Sequence, residues 1–250
     1  MAMNWHDLLF AHWPVSVESL RPHIPAELEI DTRDGFAWIG IVPFRMTGVR
    51  SRWMPRLSGM AFPELNVRTY VKHGNKSGVW FLSLDAAHWL SVRVARAWYH
   101  LPYHDAWIDF QKNGERISYH SRRTVSGARV SGTSAKVPDT FAVPNNSTSA
   151  EFQLKYSPVG EPFFAEPGTL DHWLIERYCL FAVNRRGRVG CADIAHTPWR
   201  LQRAEAVIGC NTMTAPLGIR LPDQPPLLHF AREVEAVAWK VRPITRIAAD

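Results

Sequence analysis

Residues 64–73 carry the pattern that most constrains this chain. Leu65, Val67, Thr69 and Val71 fall on one side of a two-residue repeat, and Glu64, Asn66, Arg68 and Tyr70 on the other. Side chains alternate across a β-strand, so the run reads as a strand with one apolar face. His73-Gly74-Asn75-Lys76-Ser77-Gly78 supplies a turn, and 79–85 returns as a buried strand, completing a hairpin. Residues 36–49 alternate apolar and small residues around Pro43, a strand with a bend. Residues 106–111 and 116–123 read as strands joined by Lys112-Asn113-Gly114-Glu115, and further strands are expected at 128–136, 151–156, 178–184, 188–195, 201–208 and 228–241.

Helical signals are few. Ser16 can cap a short helix over 16–24 that Pro25 stops. Leu90, Val94, Trp98 and Leu101 recur at near-helical spacing, so 89–100 reads as the main helix, ended by Pro102. A short helix over 169–177 follows Pro167-Gly168. The stretch 137–149, rich in Pro, Asn, Ser and Thr, reads as a long surface loop. The expected fold class is α+β, mainly antiparallel β: a large curved sheet closed into a barrel, with a few short helices and an internal cavity. Closure removes exposed strand edges and leaves an interior. With 250 residues, 46% of them hydrophobic, one domain over 1–250 is the expected organisation.

Several functional classes lose support at this level. Met1 to Asp7 has neither the basic start nor the apolar core of a signal peptide, and no run of about eighteen apolar residues points to a membrane span. Cys179, Cys191 and Cys210 match neither a disulfide framework nor a zinc pattern, which fits a reduced, cytoplasmic protein. The net charge of +6 invites a nucleic-acid reading. Arg45, Arg50, Arg52 and Arg56 form only a loose group, however, and Arg185, Arg186 and Arg188 surround a turn at Gly187. Basic and acidic residues otherwise intersperse, as on a solvated surface. The chain has no GxGxxG, P-loop, HExxH or GxSxG. His6/His12 and His100/His104 are the close histidine pairs, and neither has a carboxylate at ligand spacing, so no metal and no cofactor is implied. Eleven tryptophans suit a core or the wall of a ligand pocket. Glu64 stands out because it opens a strand on the face opposite the apolar one. It is an exposed strand-start carboxylate, or one paired with Arg68 further along the same face, or a desolvated acid–base group if that face lines a cavity.

The segment Leu20-Arg21-Pro22-His23-Ile24-Pro25-Ala26-Glu27-Leu28-Glu29-Ile30-Asp31 resembles the N-terminal motif of acetoacetate decarboxylases. The last third, from Pro198-Trp199-Arg200-Leu201 to Val241, is similar to them too. A closer resemblance is to the YqjF-like family of that superfamily. It is carried by Trp5-His6-Asp7, His12-Trp13-Pro14, Pro63-Glu64-Leu65-Asn66-Val67-Arg68 with Tyr70, Glu176-Arg177-Tyr178 and His196-Thr197-Pro198-Trp199. These markers span nearly the whole chain and point to a family rather than to an activity.

The resemblance implies the decarboxylase fold and an enclosed pocket. In that superfamily a lysine forms an imine with substrate, activated by a neighbouring lysine. Here the nucleophile's place falls on Tyr103 and its neighbour's on His104, and no lysine occurs between Lys76 and Lys112. Glu64 matches a site carboxylate. A second site glutamate falls on Gly40, and a site arginine near His6. The resemblance therefore argues against imine-based decarboxylation.

The expected function is small-molecule binding or a non-imine reaction on a carboxylate or aromatic metabolite. Glu64, Tyr103 and His104 are the candidate catalytic residues, and His6, Arg68 and Trp98 the candidate binding residues. Such acid–base groups serve a lyase, an isomerase or a hydrolase equally well. A non-catalytic sensor or carrier on the same pocket is the alternative. A nucleic-acid-associated protein, supported only by the basic pI, is the third reading, and its binding would weaken steeply with salt. Arg177, Tyr178 and His196 are read as structural, satisfying carbonyls near strand ends. A homo-oligomer through the long strands is compatible with the pattern.

Overall fold

The alternating runs become strands of one sheet in the computed structural model, which describes residues 1–51, 59–87, 101–124, 150–184 and 186–244. Expectations for a helix over 89–100, a strand over 128–136, a loop over 137–149, and for Trp98, Arg52, Arg56 and Arg185 lie outside the described residues.

Strand β1 (Ala2–Val15) opens the chain. Ser16 then caps helix α1 (Val17–Leu20) by accepting from the Ser19 N–H, and a 3₁₀ turn, Arg21–His23, follows. Pro22 within that turn keeps the helix shorter than the expected 16–24, because a proline nitrogen donates no helical bond. The Arg21 guanidinium ties the next loop together, donating to the carbonyls of Leu28, Ile24 and Pro25 at 2.9, 2.5 and 2.6 Å. These bonds give the 20–31 motif a structural role.

β2 (Glu29–Ile30), β3 (Ala37–Arg50), β4 (Met60–His73) and β5 (Lys76–Ala86) follow, then β6 (Tyr103–Asn113), β7 (Arg116–Arg123) and β8 (Glu151–Phe164). Helix α2 (Leu170–Ile175), capped by Thr169, leads into β9 (Cys179–Val183), β10 (Val189–His196), β11 (Arg200–Asn211), β12 (Leu227–Ala238) and β13 (Arg242–Pro243). The 64–85 hairpin is present as β4 and β5, with Gly74 taking the positive φ its turn requires.

Among the described residues these strands form one sheet in the order β13-β10-β9-β5-β6-β7-β8-β11-β12-β1-β3-β4-β2. Only the β5–β6 and β5–β9 pairs in it are parallel. Further pairings of β5 with β4 and of β10 with β12 bring the sheet back onto itself. The architecture is mainly antiparallel strand with short helices.

The central strands are buried on both faces and divide two apolar cores. On β1, Leu8 and Phe10 join Val42, Phe44 and Leu84 in one core. Leu9, Ala11 and Trp13 face Ile39, Leu65 and Val67 in the other. Alternation is hidden in such a strand, which reads as a continuous apolar run, and for that reason β1 does not stand out in the sequence.

Between His6 and Ala11 the β1–β3 register slips, and Asp7 adopts φ 53°. Lys112 holds its carboxylate at 2.7 Å, and the Tyr156 hydroxyl donates to its carbonyl at 2.7 Å. Asp7 is therefore the pivot of a bulge that re-aims β1, which gives the Trp5-His6-Asp7 marker a structural meaning.

Candidate pocket

The alternation of β4 puts Glu64, Asn66 and Arg68 on one wall of a pocket. Val42, Phe44 and Met46 of β3 and Phe81 and Leu84 of β5 continue that wall on either side. On β1, Met3 and Trp5 before the bulge and Leu8 and Phe10 after it supply the next side. Leu180 of β9, Ile194 and His196 of β10, and Trp199 complete the lining with Ile175 and Arg177. The pocket has a volume of about 130 Å³.

Two polar stations stand in this apolar wall. At the first, Tyr103 opens β6 beside Leu84, and its hydroxyl donates to Glu64 Oε2 at 2.9 Å. Glu64 is buried, 3% exposed. Burial pushes its carboxyl up to about 8, the nearby Asp85 adds to the rise, and the Tyr103 hydrogen bond opposes it. Glu64 is therefore largely protonated at neutral pH. The exposed-carboxylate alternative does not hold, and Glu64 makes no pair with Arg68 among the described ion pairs.

At the second station, Arg68 and Arg177 converge on Tyr70. The Arg68 guanidinium lies 5.2 Å from the centre of the Phe10 ring. Arg177 lies over the Tyr70 and Trp173 rings at 4.9 and 4.5 Å. Its Nε donates to the Trp173 carbonyl and its Nη1 to Asp31 Oδ2, both at 2.7 Å. Arg68 Nε and Arg177 Nη2 are buried without a protein partner, as is Asn66 Oδ1. His196 borders this station with its ring stacked on Tyr178 at 4.6 Å. Burial lowers the His196 pKa, opposed by bonding to the Thr197 carbonyl, so its imidazole is neutral at pH 7.

Of the candidate residues, Glu64, Tyr103 and Arg68 meet at the pocket. His6 and His104 do not line it, and the reason is the strand period. His104 follows Tyr103 on β6 and takes the opposite side of the strand. His6 follows Trp5 on β1 and turns away, bonding Thr47 Oγ1 at 2.8 Å with Glu233 at 3.6 Å.

Arg177 and His196 bond carbonyls as expected, those of Trp173 and Thr197, and both also line the pocket. The signal was present in the family markers, yet nothing local reveals that these strand ends fold over a pocket. Glu176 explains part of the same marker: it accepts from the Trp199 N–H at 3.0 Å and from the Tyr178 hydroxyl, joining the two marker segments. Among the described residues no group of three or more His, Cys, Asp or Glu side chains could hold a metal ion, and no helix is long and apolar enough to cross a membrane.

This mainly antiparallel fold resembles that of the acetoacetate-decarboxylase-like class. The enduracididine biosynthesis enzyme MppR complexed with pyruvate is similar with a TM-score of 0.61, at 10% identity, over 98% of this chain and 90% of that one. The acetoacetate decarboxylase of Legionella pneumophila is similar with a TM-score of 0.61, at 9% identity, over 100% of this chain and 89% of that one. Within that class the chain belongs to the DUF2071 family of uncharacterized conserved proteins, whose pattern matches residues 2–235. It is 44% identical over 243 residues to the uncharacterized protein YqjF of Bacillus subtilis strain 168, covering 97% of this chain and 91% of YqjF.

Proposed function

We propose that the pocket takes a small carboxylate, of the size of a short oxo acid, and that Glu64 and Tyr103 handle a proton next to it. The reading is carried by one observation: Arg68 and Arg177, both lining the pocket, each hold a buried guanidinium nitrogen, Nε and Nη2, from which no protein atom accepts. Among the described residues Arg68 makes no ion pair. A buried cation of this kind is costly without a counter-charge, and a carboxylate matches guanidinium N–H groups in geometry as well as charge. The protonated Glu64 adds no competing negative charge. A volume of about 130 Å³ favours a ligand of a few heavy atoms, because drug-sized ligands occupy roughly 300–1,000 Å³. The pyruvate held by structurally similar MppR is in keeping with this class. The β4–β5 and β10–β12 pairings support reading the sheet as a barrel-like enclosure with the pocket as its interior.

Imine chemistry needs an amine, and no lysine is among the described lining residues. The Glu64–Tyr103 pair offers general acid–base chemistry instead: a carboxyl titrating near 8 can donate a proton to a bound substrate and recover it near neutrality. The test is calorimetric titration of pyruvate, 2-oxobutanoate and acetate, with acetone as the uncharged control. Wild type is expected to bind the acids and not acetone. Arg68→Met should weaken binding about ten- to a hundredfold, as expected for loss of a charged hydrogen bond. Glu64→Gln should bind comparably while losing any turnover seen by NMR of the ligand. Binding without turnover in wild type would make the protein a sensor or carrier. No binding of any acid, or equal binding of acetone, overturns the proposal.

A further inference from the structure

We propose that the acid taken by this pocket carries a hydroxyl group one or two carbons from its carboxylate, and that Asn66 is the residue that selects it. The inference rests on the reading of Arg68 and Arg177 as partners of a small carboxylate, and it names the class of acid more closely. Asn66 stands midway between Glu64 and Arg68 on the pocket face of β4 and is 5% exposed. Its side-chain Oδ1 is buried with no protein partner.

The neighbours of Asn66 explain why the fold leaves it unsatisfied. It pairs with Val42 across β3 and with Leu84 across β5. Both are apolar side chains of the same lining and have no hydrogen bond to donate. Arg68, two residues on, is held elsewhere. A Cβ on Gly40, its cross-strand partner, would stand 3.4 Å from Cγ of Arg68 and 3.1 Å from both Cδ2 and Nε2 of His12, so the arginine stem packs close against β3. Its guanidinium lies over the Phe10 ring of β1. Glu64, two residues back, meets the Tyr103 hydroxyl instead. A buried amide oxygen without a donor is costly, and a bound ligand that supplies one recovers that cost.

The lining discriminates among the donors a small acid can carry. An ammonium group, as in an amino acid, would add a third positive charge to a pocket that already holds Arg68 and Arg177. Burial keeps the Glu64 carboxyl largely protonated, so it offers no counter-charge. A ketone has only lone pairs and cannot donate to Oδ1. A hydroxyl is neutral and both donates and accepts, so it pairs with either end of a carboxamide. A site built in this way rejects the analogue that lacks the hydroxyl, because its own buried polar group then stays unpaired.

The test is a ladder of three-carbon acids titrated by calorimetry at pH 7 into wild type and Asn66→Leu: propanoate, pyruvate, L- and D-lactate, 3-hydroxypropanoate and alanine. Wild type is expected to bind one of the hydroxy acids about tenfold more tightly than propanoate and pyruvate, the worth of one neutral hydrogen bond, and not to bind alanine. Asn66→Leu should bring the acids other than alanine to within about threefold of one another. The wild-type ladder needs no variant, so it decides the question even where Asn66→Leu does not fold. Propanoate or pyruvate binding as tightly as the best hydroxy acid overturns the proposal, as does tighter binding of alanine or a hydroxyl preference that survives in Asn66→Leu. If no acid binds, the carboxylate reading fails separately, and NMR of the Asn66 side-chain amide decides the rest. A shift of its resonances with propan-2-ol but not with acetone keeps the hydroxyl role, and no shift, or an equal one with acetone, removes it.

Discussion

Glu64 is a carboxyl that the fold keeps neutral, and the cost appears in stability. An unfolded glutamate ionises near 4.5 and this one near 8, so between those values the folded state holds a proton that the unfolded state has released. Stability contributed at this position is therefore full below about pH 4.5 and is lost as the pH rises toward 8. Glu64→Gln, which keeps an acceptor for Tyr103 and does not titrate, should gain on wild type over that window by on the order of 3–5 kcal/mol. Urea unfolding of both proteins at pH 5 and pH 8.5 measures it. Glu64 and Arg68 were legible in the sequence because strict alternation puts them on one strand face. Tyr103 was legible only through the family resemblance. Sequence position could not separate His104 from Tyr103, or His6 from Trp5, since adjacent strand residues face opposite ways and the Asp7 bulge resets the count. Arg177 and His196 lie more than a hundred residues from Arg68, and their convergence on the same pocket comes from long-range packing.

At the scale of elements, the local signals carried the hairpins well. β7 runs over Arg116–Arg123 as the alternation indicates, and the turn chemistry at 74 and 114 is used in both cases. β8 extends through Pro158 and Gly160 to Phe164, beyond the expected 151–156, because pairing with β11 sustains residues of poor strand propensity. The site depends on one cross-strand strap. Asp85, with its side chain wholly buried at the end of β5, takes the Arg123 guanidinium of β7 at 2.7 Å, spanning the start of β6 where Tyr103 stands. Arg123→Met would leave a buried carboxylate unpaired and should cost about 3 kcal/mol in urea unfolding. Adding Asp85→Asn should recover part of that loss, because the stranded charge is removed.

At the scale of the molecule, β1, β3 and β4 serve as a shared wall with an apolar core on either side. Few openings short of global unfolding expose such strands, so their amides should be the slowest to exchange in hydrogen–deuterium measurements. The two-residue strands β2 and β13, at the ends of the sheet order, should exchange first. The class of fold was legible from many short runs and turns. The β10–β12 and β5–β9 pairings were not, since they join segments whose sequences bear no mark of each other.

Gly40 carries a consequence for descent within this fold. The contact distances at its missing Cβ mean that any side chain at 40 would press on the imidazole at 12. Relatives with a glutamate at the position equivalent to 40 should accordingly lack histidine at 12, and the two sites should change as a linked pair. A lineage moving from one arrangement to the other would have to repack the ring at 12 and the stem of Arg68 in the same episode.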